Sequence, residues 1–183
     1  MPKSLAIIGV PSSAGAFAPG QEQAPAALRA AGLIERLQAA GIQVTDRGDS
    51  AVWRWRPDRL RPRAQNLEAV ITHATETAHR VREAVAADEI LLVLGGDCTI
   101  ELGTVSGFLP SDARIGLLYF DLHADLNVPD SEPEGALDWM GMAHLLGEQR
   151  AVPELSRRGP RFPLLEAADV CIFGHGLNRA TSW

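Results

Sequence analysis

Apolar residues along this chain follow two different rhythms. Residues 4–10 (SLAIIGV), 90–94 and 115–120 are short continuous apolar runs, the pattern of strands buried on both faces of a sheet. Residues 42–45 and 170–173 are shorter candidates of the same kind. Between residues 64 and 87, Leu67, Val70, Ile71, Ala74, Ala78, Val81 and Val85 recur at helical spacing, so this segment is predicted as the longest helix. Residues 24–40 also read as helical, with Gly32 as a break and Gly41 as a stop. Further helices are expected over 99–109 and 137–147.

Apolar strands that alternate with helices predict βαβ units. The expected architecture is one α/β domain over residues 1–183, with a mainly parallel sheet and helices on both faces. The connecting segments fit this scheme. Residues 11–23 are rich in Pro, Gly, Ser and Ala and read as a loop, and residues 46–63 show no periodicity but hold many arginines.

Composition narrows the class. Of 183 residues, 46% are hydrophobic and 22% charged, as in an ordinary globular domain. The net charge of -6 argues against a general nucleic-acid or anionic-membrane binder. The run Arg54-Trp55-Arg56 with Arg59, Arg61 and Arg63 is therefore read as a solvated loop rather than a nucleic-acid patch. Two cysteines, Cys98 and Cys171, lie in or beside apolar stretches, which is not a secreted disulfide framework. No run suits a signal peptide or a membrane span, so a cytoplasmic setting is expected. Cys171 is read as packing, and His73 and His79 as surface or structural groups.

The candidate chemistry sits at two strand ends. Asp121, His123 and Asp125 lie at alternate positions directly after the 115–120 strand. In extended backbone they point to one side, at the carboxyl end of a parallel strand, where open α/β sheets bind ligands. Two carboxylates and an imidazole suit a divalent metal. The other end is the turn Gly95-Gly96-Asp97. Asp97 is read as the cap of the next helix, with Cys98 at its first turn, close enough for the two strand ends to share one crevice. A thiol there packs, binds a softer metal, or acts as a nucleophile if its pKa is lowered.

Four segments together resemble the ureohydrolase family of arginases, agmatinases and formiminoglutamases. They are residues 9–49, LLVLGGDCTIELG at 91–103, LLYFDLHADLN at 117–127 and ALDWMGMAHLLG at 136–147. The resemblance implies a three-layer α/β/α fold, incomplete at its C-terminal end, and a two-manganese site that activates water against a guanidinium or amidine carbon. It implies that Asp121 bridges the metals, with Asp125 on one and His123 on the other, and that Asp125 is also catalytic. Substrate contacts are expected at Asn127 and His175, and His144, about one helical turn from Met140 where the family has a histidine, is a candidate for proton transfer. The resemblance also implies a small guanidino or amidino substrate and a homo-oligomer.

The chain departs from the family pattern at three points. Cys98 stands where the family has a ligating histidine, Met140 aligns with another histidine, and no S-x-D-x-D-x-x-D-P segment is found. A thiolate favours zinc over manganese. The expectation is therefore one metal or none, zinc included, and impaired hydrolysis. The alternatives are a catalytically silent protein with an assembly or regulatory role, or a metal-free site with Cys98 as nucleophile.

Overall fold

The structure is a computed structural model that describes residues 3–109, 114–174 and 176. Its first sheet has three parallel strands in the order β2-β1-β3, with β1 at Leu5–Val10, β2 at Val44–Asp49 and β3 at Ile90–Gly95. The register places Leu5 opposite both Val44 and Ile90. As the central strand, β1 has neighbours on both edges, and Ala6, Ile7, Ile8 and Val10 are fully buried. A second parallel pair joins β4 (Leu117–Phe120) to β5 (Val170–Phe173) in unbroken register. Helices flank the strands in a three-layer α/β/α arrangement, as expected.

The helices follow their sequence signals closely. Gly32, at φ 81°, separates α1 (Ala24–Ala30) from α2 (Leu33–Ala39), so the anticipated break is real. The 20-residue helix α3 spans Leu67–Ala86 and buries Leu67, Val70, Ile71, Ala78 and Val81 on one side. It packs against α4 (Ile100–Phe108). A Cβ on Gly103 of α4 would lie 2.5 Å from the Ala74 carbonyl oxygen, so the helices meet where a side chain would keep them apart. Residues 137–147 are less regular than expected: a 3-10 turn at Leu137–Met140 leads into a short α5 at Gly141–Leu145. A one-turn α6, Pro153–Ser156, carried no periodic signal because it is too short to show one.

Two expectations need correction. Among the described residues the strands form two sheets instead of one, and β3 does not hydrogen-bond to β4. The β4–β5 pair is also covered on one face only. Leu118, Phe120 and Phe173 are 67%, 73% and 60% exposed, and Cys171 is exposed rather than packed. The continuous apolar runs predicted burial on both faces, but among the described residues no element covers this one. Phe120 and Phe173 stack on it with ring centroids 5.3 Å apart.

Candidate metal centre

The crevice forms where β3 and β4 end. After β3 the chain turns sharply at Gly96, whose φ is 33°. A Cβ there would come within 2.6 Å of the Val10 carbonyl oxygen and 2.5 Å of that of Ser12, so only glycine lets the turn press against the loop after β1. Asp97 then locks the turn. Its Oδ1 accepts from the Thr99 backbone N–H at 3.0 Å, and its Oδ2 accepts from the Gly15 N–H at 2.9 Å. The N-cap of α4 is Thr99 rather than the Asp97 expected, and Asp97 instead fixes the turn before the helix and ties it to the 11–17 loop. It also places Cys98 at the mouth of the sheet.

After β4 the backbone does not stay extended. Asp125 has a left-handed φ of 47°, a conformation that aspartate tolerates better than most residues. The alternation argument for residues 121–125 therefore fails, and the turn selects a different set. Cys98, Asp121 and Asp125 each offer a ligand atom, all within 4.8 Å of one another. His123 lies outside that group. Its ring is partly exposed, with Nδ1 3.7 Å from Asp121 Oδ1, and its backbone N–H donates to the same oxygen at 2.8 Å.

Three further side chains face this point. Tyr119 donates its hydroxyl to Asp125 Oδ2. Glu101 lines the same open cleft as Cys98, Tyr119 and Asp121. Asp138, from the turn before α5, bears electrostatically on both Cys98 and Asp125. None of the three was a sequence candidate. For Glu101 a signal existed, because it follows Cys98 by three residues across the turn that leads into α4.

Electrostatics reflect an excess of acids in a dry place. Burial, reinforced by Asp121, raises Asp125 to about 6 against the bonding of Tyr119 and the pull of His123. Burial, with Asp97 and Asp125 adding to it, raises Asp138 to about 8. Glu101 is raised well above the usual range, first by burial and then by Asp125 and Asp121. The Cys98 thiol is pushed up as well, by burial and by the surrounding carboxylates. That reverses the lowered pKa on which a metal-free nucleophilic Cys98 depended.

The remaining candidates lie elsewhere. His144 is fully buried on α5. Its Nδ1 lies 2.6 Å from the Met140 carbonyl oxygen, and its Nε2 accepts from the Val152 N–H at 3.3 Å. Both ring nitrogens are thus engaged away from solvent, which corrects the proton-shuttle expectation: this is a structural histidine. Asn127 is buried, and its Oδ1 accepts from Ser131 Oγ at 3.3 Å, so that oxygen serves the loop. His175 lies outside the described residues. In the arginine-rich loop, Arg54 pairs with Glu22 at 2.5 Å, Arg61 with Glu68 at 2.9 Å, and Arg63 donates to the Pro129 carbonyl oxygen at 2.7 Å.

Comparison with known proteins identifies the family and the fold. The family described as the arginase family matches residues 3–172. This chain belongs to the arginase family. The arginase of Bacillus caldovelox is 33% identical over 176 residues, which are 94% of this chain and 58% of that protein. Arginase, non-hepatic 2 of Xenopus laevis is 34% identical over 178 residues, 93% of this chain and 48% of that one. Among solved structures, native Bacillus caldovelox arginase superposes with a TM-score of 0.82 at 31% identity, over 93% of this chain and 57% of that one. A hypothetical agmatinase from Burkholderia thailandensis, at 20% identity and a TM-score of 0.56, shares the fold. The chain spans about half the length of the arginase-family relatives that it matches.

The donor set suits a divalent cation. Two carboxylates and a thiol converge, and other acids surround them, so positive charge is what the site lacks. No helix of the described residues is long and apolar enough to cross a membrane.

Proposed function

We propose that this chain carries the metal-binding part of a hydrolase acting on C–N bonds in linear amidines or guanidines. The observation that supports this reading is the convergence of Cys98, Asp121 and Asp125 at the strand ends of an arginase-family fold. A divalent cation held there would supply Lewis acidity and make hydroxide available near neutral pH.

The chain's own groups have distinct parts in this reading. Asp121 and Asp125 hold the cation, and Cys98 adds a softer donor. Tyr119 orients the Asp125 carboxylate through its hydroxyl. Half-exposed His123 stands at the rim, where it can meet a solvent-borne proton or a second ion. The ureohydrolase resemblance implies manganese, whereas the Cys98 thiolate favours zinc and a single ion. The substrate class is a small guanidino or amidino compound, and the setting is cytoplasmic.

The test is metal analysis of the purified chain combined with urea and ammonia release across a panel of guanidino compounds. Bound divalent metal with release from at least one compound supports the reading. No metal and no release from any compound rejects it.

A second reading is an assembly role without catalysis, favoured by the uncovered apolar face of Leu118, Phe120 and Phe173. It also fits the homo-oligomer expected of the family. Homo-oligomerisation with bound metal but no hydrolysis of any compound would support it.

A further inference from the structure

A pocket between α3, α4 and the segment from α6 to Leu164 carries the opposite charge balance from the metal centre. Its volume is about 120 Å³, close to the ~150 Å³ that admits a benzene ring. Buried Leu102, Leu155 and Leu164 give it an apolar lining, and Arg82 and Arg158 are the charged residues on its wall. Among the described residues no carboxylate lines it, in a chain whose net charge is -6. It shares no residue with the cleft of Cys98 and Asp121.

The donors of this pocket are unspent. Arg29, Arg47, Arg61 and Arg114 each pair with a carboxylate, whereas among the described residues neither Arg82 nor Arg158 does. Arg158 Nε donates to the Glu154 carbonyl oxygen at 3.2 Å, which anchors the side chain and leaves its terminal nitrogens available. Thr72, Thr75 and Thr104 turn their hydroxyls back to carbonyl oxygens four residues earlier, but buried Ser106, on the pocket wall, makes no such bond. A Cβ on Gly159 would lie 2.1 Å from Leu164 Cδ2, so the glycine lets the loop that bears Arg158 close onto the pocket. Two guanidinium groups and a free hydroxyl thus surround an apolar hollow and lack a negatively charged acceptor.

We infer that this pocket binds a small organic oxyanion, a carboxylate or phosphate group carried on a short apolar body. The planar guanidinium forks match the oxygens of either group, and Ser106 adds a neutral donor. The leucines select for carbon: a bare inorganic anion would leave them facing water, whereas a short chain or a ring covers them. Neither arginine has a part in the metal centre, so the inference stands independently of the hydrolase reading.

Calorimetric titration of the chain with butyrate, butyl phosphate, inorganic phosphate and butylammonium tests it. At least one of the two organic anions should bind, at one site per chain, and inorganic phosphate at least ~10-fold more weakly. Arg82→Gln and Arg158→Gln should each weaken that binding about 10-fold, the scale of one lost charge-assisted hydrogen bond. Both side chains are exposed, so the variants should melt like the parent. An organic anion held instead by a cation at Cys98 would survive both substitutions. Unchanged affinity in a variant carrying both, or no binding of either organic anion, overturns the site. Inorganic phosphate bound as tightly as butyl phosphate overturns the apolar selection, and butylammonium bound as tightly as butyrate overturns the charge assignment.

Discussion

Tyr119 donates its hydroxyl to Asp125 Oδ2 across the turn that follows β4. The two residues lie six positions apart, and the left-handed backbone of Asp125 closes the distance. Burial and the nearby carboxylates also hold the phenol well above its ordinary pKa, so it remains a donor. The Asp125 carboxylate is therefore held in place before any cation arrives.

Tyr119→Phe should keep the fold and release that carboxylate. Divalent-cation affinity should fall by roughly 10-fold, the lower end of what supporting hydrogen bonds to metal ligands contribute. Calorimetric titration with Zn2+ measures this. Unchanged affinity would mean that the hydroxyl does not position Asp125.

Cys98→His should raise manganese affinity, because imidazole replaces a soft thiolate in a set otherwise made of oxygen donors. Manganese titration followed by electron paramagnetic resonance compares the two proteins. Superimposable curves would show that Cys98 is not a ligand.

Stability of the metal-free chain should fall as pH rises toward about 8. Asp138 is raised in the folded state to about 8, from an ordinary carboxyl value of 3.8. The folded chain therefore holds a proton that the unfolded chain releases. That stabilisation is complete in acid and disappears as pH climbs through the folded pKa. His144 acts in the opposite sense. Burial lowers it to about 4, from an ordinary imidazole value of 6.5, so its contribution of about 3 kcal/mol is present above the unfolded pKa and fades as pH drops toward 4. Urea melts across this range should flatten on the alkaline side in Asp138→Asn. A parent-like slope in that variant would refute the assignment.

Gly103→Ala should destabilise the fold although alanine is the better helix former. The added methyl would meet the Ala74 carbonyl oxygen at 2.5 Å and Thr77 Cβ at 2.7 Å, which forces α3 and α4 apart. Overpacking of this kind costs about 1–3 kcal/mol, more than the helix-propensity gain of roughly 1 kcal/mol. A melting temperature equal to or above the parent's would contradict the close approach.

Local chemistry made much of the fold legible in the sequence. The apolar runs at 4–10 and 90–94 mark two neighbouring strands, and the helical spacing from Leu67 to Val81 marks the face of α3 that is buried. Gly32 breaks a helix because its φ is positive, and Asp97 follows a glycine turn and accepts from the Thr99 N–H. Such signals act within a few residues, so a reader of the sequence can find them. The strand-end placement of Cys98, Asp121 and Asp125 was legible for the same reason.

Groups that meet across long separations were not legible. The sequence by itself determined a parallel α/β domain of the ureohydrolase type and the two turns that carry its acids. Only the tertiary structure showed that Asp125 turns left-handed, and so pairs with Cys98 and Asp121 while His123 stays at the rim. It also buried His144 between Met140 and Val152, left one face of β4–β5 uncovered, and set Glu101 in the same cleft with an oxygen unsatisfied. The physical reason is range. Secondary structure and turns depend on neighbouring backbone and side chains, whereas burial, pKa and the convergence of donors depend on which distant segment packs alongside.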